Sequence, residues 1–221
     1  MFLIQGLVTM AELKIVCISD THGKHAGLRL PEGDVLIHAG DFMTYGDRIS
    51  EIAKFNHWLS KQPHRHKIVI AGNHDLLFES DPSLARMQLM AATYLENSAI
   101  EIEGFHIWGS PQQPRFLDWA FNVDRGSAIR RYWDMIPPET DILITHGPPY
   151  GILDTITHSD ERLGCEELAV AVQRVRPKLH VFGHIHTGHG ECEQDGIRYV
   201  NASILDENYR IAYSPQVVTL N

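Results

Sequence analysis

Five short apolar runs in this chain each end at, or within a few residues of, a cluster of side chains able to bind metal ions. Ile15–Ile18 leads to Asp20 and His22, Val35–Ile37 to His38 and Asp41, and Ile68–Ile70 to Asn73, His74 and Asp75. Ile142–Ile144 leads to His146, and Val181–Phe182 to His184 and His186. Strands buried on both faces of an α/β sheet read as short uninterrupted apolar runs. In such sheets functional groups collect where the carboxyl ends of the strands open into loops. Asp, Asn and His delivered to one rim therefore predict an α/β fold with a metal site.

Helical patterns alternate with these runs. Ile49, Ile52, Phe55 and Leu59 share one face at helical spacing, as do Leu84, Met87, Ala91 and Tyr94 after Pro82, which suits a first turn. Cys165, Leu168, Ala169, Val172 and Val175 form a third stripe, stopped by Pro177. All three are expected to face the core. Glu101–Gly109 and Gly190–Ser203 have a period nearer two, predicting antiparallel strands. Ser110–Asp134, rich in Pro, Trp, Phe and Arg, reads as a long irregular segment and a candidate wall or lid of the site.

No repeat or flexible linker divides the chain, so residues 10–221 are expected to form a single domain. Residues 1–9 lack the features of a signal peptide and are expected to be a peripheral extension, with Met10 an equally good beginning. A net charge of −9 argues against an extended nucleic-acid partner, which calls for a basic stripe. No run reaches transmembrane length, so no membrane partner is expected. Cys17, Cys165 and Cys192 show no C-x-x-C spacing and read as reduced thiols in a cytoplasmic protein. Histidine is the outlier, with 14 in 221 residues.

In order, the clusters are Asp20-Thr-His22, Gly40-Asp41, Gly72-Asn73-His74-Asp75, Thr145-His146-Gly147 and Gly183-His184-Ile185-His186. If the strands continue, Asp20 and His22, and likewise His184 and His186, point the same way and can each reach a common centre. The glycines suit tight turns and close backbone approach. Each cluster alone is a common pattern; the ordered set is not.

That set resembles the full signature of the calcineurin-like metallophosphoesterase superfamily. Ile-His-Ala-Gly-Asp-Phe, Trp-Ala-Phe-Asn, Thr-His-Gly-Pro-Pro and Phe-Gly-His-Ile-His-Thr-Gly-His-Gly look like a smaller group within it. These are the metallophosphoesterase-domain proteins, similar to class III cyclic-nucleotide phosphodiesterases. The resemblance implies a four-layer α/β/β/α sandwich with two facing mixed β-sheets. It also implies two metal ions, one held by Asp20, His22, Asp41 and His186, the other by Asp41, Asn73, His146 and His184, with Asp41 bridging. A set rich in imidazole and lacking thiolate suits divalent or mixed-valence Mn, Fe or Zn.

The implied reaction is two-metal hydrolysis of a small phosphodiester, such as a cyclic nucleotide, by a metal-bound hydroxide. His74 would serve as general acid at the leaving oxygen, and Asp75 would fix the tautomer or raise the pKa of its imidazole. His38, His189, Arg115, Asn122 and Arg125 are candidate substrate contacts; His57, His64 and His66 read as surface positions. Many relatives carry a charged residue where this chain has Thr44, which bears on substrate preference but removes no ligand. A phosphomonoesterase or protein phosphatase is the alternative, and a non-catalytic scaffold a weaker one, since every ligand and His74 are present. The oligomeric state is left open.

Overall fold

The computed structural model describes residues 12–156 and 161–221; the expected extension over residues 1–9 lies outside them. The first half runs β1 (Leu13–Ile18), β2 (Val35–Ala39), α1 (Ile49–Ser60), β3 (His66–Ile70), α2 (Leu77–Ser80), α3 (Pro82–Gln88) and β4 (Thr93–Tyr94). It continues with β5 (Ser98–Ile102), β6 (Phe105–Ser110), β7 (Gln113–Pro114), β8 (Asn122–Val123), α4 (Ser127–Trp133) and β9 (Ile142–Thr145). The remainder is α5 (Glu166–Val175), β10 (Leu179–Phe182), β11 (Gly190–Gln194), β12 (Ile197–Asn201) and β13 (Gln216–Leu220).

Among the described residues two large sheets form, ordered β13-β1-β2-β3-β4 and β11-β12-β10-β9-β6-β5, beside a two-stranded β7-β8 pair. Each large sheet has a parallel centre. β13 adds antiparallel to β1, β11 to β12 and β5 to β6, the last two pairs where the period-two segments were read.

Side-chain alternation explains the apolar runs. Ile15, Cys17, Ile37, Ile68 and Ile70 of the first sheet face Ile107, Ile142, Ile144 and Val181 of the second in one central core. The intervening Val16, Ile18, Leu36 and Val69 pack outward on Ile52, Phe55 and Leu59 of α1 and Phe78 of α2. On the opposite flank Trp108, Leu143 and Phe182 meet Ile129 and Trp133 of α4 and Leu168, Val172 and Val175 of α5. Strands sealed on both faces have no solvent side to make polar, and each buried isoleucine contributes about 1.5–3 kcal/mol. The expected four-layer sandwich results.

Two expectations fail. The α3 stripe is not a core face: Leu84 is 37% and Met87 69% exposed, while Ala85 is buried. The helix stops at Gln88, so Ala91 and Tyr94 never join its face, and Tyr94 enters β4 instead. Pro82 does open the helix, capped by Asp81, whose carboxylate accepts from Leu84 N at 3.1 Å. His64 is buried, its Nε2 3.0 Å from the Pro31 carbonyl, rather than on the surface.

Candidate metal centre

All five run ends converge at the carboxyl end of the parallel strands, but through turns rather than continuing strands. Asp20, His22, Asp41 and His184 adopt left-handed φ values of 54°, 38°, 57° and 67°. Each such non-glycine conformation costs about 1–3 kcal/mol and persists only where surrounding contacts enforce it. The enforcing contacts are visible. His184 N donates to Asp20 Oδ1 and Oδ2 at 3.1 and 3.0 Å, and Ser203 Oγ to Asp20 Oδ2 at 2.8 Å. His74 N donates to Asp41 Oδ1 at 2.7 Å. β1 and β10 end before these residues, so turns rather than continuing strands bring Asp20 and His22 into one group as expected, whereas His184 and His186 enter different groups.

Three overlapping sets have ligand atoms within 4.8 Å of one another: Asp20 with His22 and His186, His22 with Asp41 and His74, and Asp41 with His146 and His184. Asp41 Oδ2 lies 3.6 Å from His22 Nε2 and 3.4 Å from His146 Nε2, so one carboxylate oxygen faces both outer sets. Asn73 Oδ1 stands 2.9 Å from His146 Nε2 and joins the second set.

The rings are aimed by backbone carbonyls. His146 Nδ1 pairs with Ala39 O at 2.9 Å, His186 Nδ1 with Asp206 O at 3.0 Å and His74 Nδ1 with Thr44 O at 2.8 Å. Donation from each Nδ1 turns Nε2 into the site, the arrangement that orients metal-ligating imidazoles. Glycine makes room: a Cβ on Gly72 would strike Asp41 Oδ1 and lie 2.5 Å from His146 Cε1.

Electrostatics fit a cation pair. Burial pushes the Asp41 carboxyl up, but His146, with His22 and His74, together outweigh this and hold it well below the usual range. Asp20 is likewise held low, burial being outweighed by its hydrogen bond and charge interaction with His186. Burial drives the His22 imidazole down to about 4 and His184 to about 3, keeping both neutral with a free lone pair. Both ring nitrogens of His22 are buried without a partner, a cost that a coordinated ion would relieve. The donor set present fits two transition-metal ions.

A cavity of about 550 Å³ opens over this cluster. His22, Asp41, Asn73, His74, His184 and His186 form its floor, Pro114, Phe116, Ile156 and Leu163 an apolar side, with Arg115 and Arg125 at the rim. Part of the Ser110–Asp134 segment is thus a wall.

Other candidates sit differently. Asp75 does not touch the His74 ring, contrary to expectation. Its buried carboxylate accepts from Asp41 N, Met43 N and Gly72 N at 2.9, 2.9 and 2.7 Å, stapling two site loops together. The carbonyl of Thr44, not a carboxylate, sets the His74 tautomer.

His38 is also displaced from its expected role: fully buried beneath the site, it bonds Thr21 Oγ1 at 2.9 Å and packs on Phe55. His189 stacks on Tyr213 with ring centroids 4.3 Å apart, its two nitrogens engaged by Ser203 O and Gln216 Nε2. Asn122 shapes the wall loop by bonding Phe116 N and the Leu117 carbonyl, away from the cavity lining. Arg115 and Arg125 do line the cavity, held by Asp124 and by the Gly164 carbonyl.

Two aromatic residues escaped the sequence reading. Trp119 stacks on His74 at 4.0 Å between centroids, and Tyr209 packs its ring 4.9 Å from His22 and 5.3 Å from His186. Tyr209 has a left-handed φ of 58° and lines the cavity. Trp119 belongs to the quoted Trp-Ala-Phe-Asn stretch, which carried a signal; nothing in the spacing around Tyr209 did.

Comparison with known proteins agrees with this geometry. A family model described as calcineurin-like phosphoesterase matches residues 13–188. Metallophosphoesterase domain-containing protein 1 of Homo sapiens is 44% identical over 231 residues, covering 94% of this chain and 71% of that protein. UPF0046 protein K07C11.7 of Caenorhabditis elegans is 37% identical over 219 residues, covering 93% and 74%. The crystal structure of TT1561 of Thermus thermophilus superposes with a TM-score of 0.62 at 15% identity, over 96% of this chain and 99% of that one, and shares the fold. From the matched span, the relatives and the fold together, the chain belongs to the calcineurin-like phosphoesterase family.

Proposed function

We propose that this member of a metal-dependent hydrolase family acts on small phosphodiesters, cyclic nucleotides among them. The observation that carries the reading is Asp41 Oδ2 placed between His22 and His146, with His74 grouped with His22 and Asp41. Asp20, His22, Asp41 and His186 would hold one divalent ion, and Asp41, Asn73, His146 and His184 the other. Bound there, Mn, Fe or Zn ions supply Lewis acidity that activates water and offsets charge on the phosphoryl oxygens.

The chain's own residues supply the rest. Two aspartates leave the floor net cationic once two dications are held, which favours a phosphate oxygen. His74, with Nδ1 committed to Thr44 O, presents Nε2 to the cavity and can hold a proton there for the departing alkoxide. The apolar side formed by Pro114, Phe116, Ile156 and Leu163 leaves room for a second ester substituent, which favours a diester over a monoester. Three free cysteines accord with a reducing, cytoplasmic setting. No helix among the described residues is long and apolar enough to cross a membrane.

The test compares hydrolysis of bis(p-nitrophenyl) phosphate and p-nitrophenyl phosphate by Mn²⁺-loaded protein, with chelator-treated protein as control. Metal-dependent preference for the diester is expected. Preference for the monoester would move the assignment to a phosphatase, and no metal-dependent turnover of either would refute it.

A further inference from the structure

We propose that Trp119 is a positioning residue for His74, fixing the plane of its imidazole against the departing oxygen; this rests on the phosphoesterase reading of the site. The His74 ring is held on three sides. Its Nδ1 is tied to the Thr44 carbonyl at 2.8 Å. The His22 ring meets it nearly perpendicular, at 88° and 4.6 Å between centroids. Trp119 lies over the face of His74 at 4.0 Å and 27°.

Trp119 is itself mounted on the loop that carries His74. Ala120 N donates to the Asn73 carbonyl at 3.1 Å, and Phe121 N to Glu79 Oε1 at 2.8 Å. Ala120 and Phe121 are buried in the core cluster that includes Phe42 and Phe78. The indole is therefore anchored through the chain next to it, while Phe116 and Leu117 stand exposed. Trp119 does not line the cavity, so it acts through His74 rather than on substrate. A single hydrogen bond at Nδ1 still lets the imidazole rock about its Cβ–Cγ bond; a stacked indole narrows that motion and keeps water from the covered face. An aromatic stack of this kind is a specific contact beyond mere burial, and a proton donor contributes only when its heavy atom lies within hydrogen-bond reach of the leaving oxygen.

Two readouts test this. In ¹³C-histidine-labelled protein the His74 Cε1–H resonance, identified by its loss in His74→Asn, is expected upfield in the wild type from the indole ring current. It should move downfield in Trp119→Leu and return most of the way in Trp119→Phe. With Mn²⁺ bound, Trp119→Leu is expected to lose about tenfold in kcat on methyl phenyl phosphate, a part of the 10²–10⁴ that a proton donor contributes. On methyl p-nitrophenyl phosphate, whose leaving group needs little protonation, it should lose less than about threefold, and metal content should be unchanged. In a His74→Asn background the same substitution should add nothing.

An unmoved resonance, equal losses on both esters, or an undiminished loss in the His74→Asn background would overturn the proposal. If the wild type hydrolyses neither ester while the resonance still moves, the stack stands and the phosphoesterase reading is what fails, taking the positioning role with it.

Discussion

Replacing Asp75 with alanine removes the acceptor for three backbone N–H groups, those of Asp41, Met43 and Gly72, at 2.9, 2.9 and 2.7 Å. All three donors lie on buried residues. A buried donor left without a partner costs about 1–3 kcal/mol, so the gross loss is about 3–9 kcal/mol. Part of this is returned, because burial and the nearby Asp41 carboxylate push the Asp75 carboxyl up, so the wild type already bears a cost for holding it there. A net loss of about 4 kcal/mol is expected, or about 8–16 °C in Tm for a chain of this size.

Asp75→Asn should cost less, about 1–3 kcal/mol. Its amide oxygen can keep the Asp41 and Gly72 donors on one side, while its NH₂ opposes the Met43 N–H on the other. Urea unfolding of chelator-treated protein followed by circular dichroism measures both, and Mn²⁺ titration should show weaker binding in each, since the loop carrying Asp41 is released. The reasoning is refuted if Asp75→Ala unfolds within about 0.5 kcal/mol of the wild type, the range of an ordinary surface change. It also fails if Asp75→Asn alters turnover with stability and metal affinity intact, for that would return Asp75 to tuning the imidazole.

Other outcomes follow from the same geometry. His74→Ala should keep both metals, by elemental analysis, and lose most turnover on diesters with poor leaving groups; loss of metal would show that it is a ligand. Asp41→Ala should lose metal and activity together, and an active variant with two metals bound would refute bridging. Stability should also fall in mild acid. Buried His180, paired with Thr145 Oγ1 at 2.8 Å, is driven by burial down to about 3. The unfolded chain takes up that proton near pH 6.5, so the folded state loses stability as pH drops below that value, until about pH 3. From pH 7 to 5 the share from this residue is about 2 kcal/mol, and the pH dependence of unfolding in His180→Leu should be flatter by that amount.

Strands and the residues that gather at the candidate site were legible because both depend on local chemistry. A strand sealed on two faces must be apolar, and the polar residue that ends it marks where the sheet opens. The left-handed turns at Asp20, His22, Asp41 and His184 were not legible. Such turns usually announce themselves by glycine, but here the glycines sit beside the strained residues. Gly72 and Gly183 give space to Asp41 and Asp20, while the strain falls on the candidate ligands. Asp75 was misjudged because adjacency to His74 in sequence suggested contact, whereas a turn sends the two side chains apart. The α3 stripe failed because four apolar residues at helical spacing do not reveal that the helix stops after Gln88. Trp119 and Tyr209 reach the site from loops distant in sequence, and their contacts carry no periodic trace.

The reach of those long-range contacts has a consequence for how the protein is made. Asp20 is fixed by Ser203, 183 residues further along, and by His184, 164 residues further along. The carbonyl that aims His186 belongs to Asp206, and Leu13 at the start of β1 pairs with Leu220. A ribosome working from the amino end therefore releases the first ligands long before their partners exist, and non-local pairing of this kind is slow to form. Nascent chains halted after α5 should bind Mn²⁺ weakly and resist protease poorly, both properties arriving together only once β13 has emerged. Protection acquired in gradual steps along the chain would contradict this order of events. Ion capture is on this account a late act of biosynthesis, and a chain cut short after α5 leaves Asp20 without the groups that hold it in place.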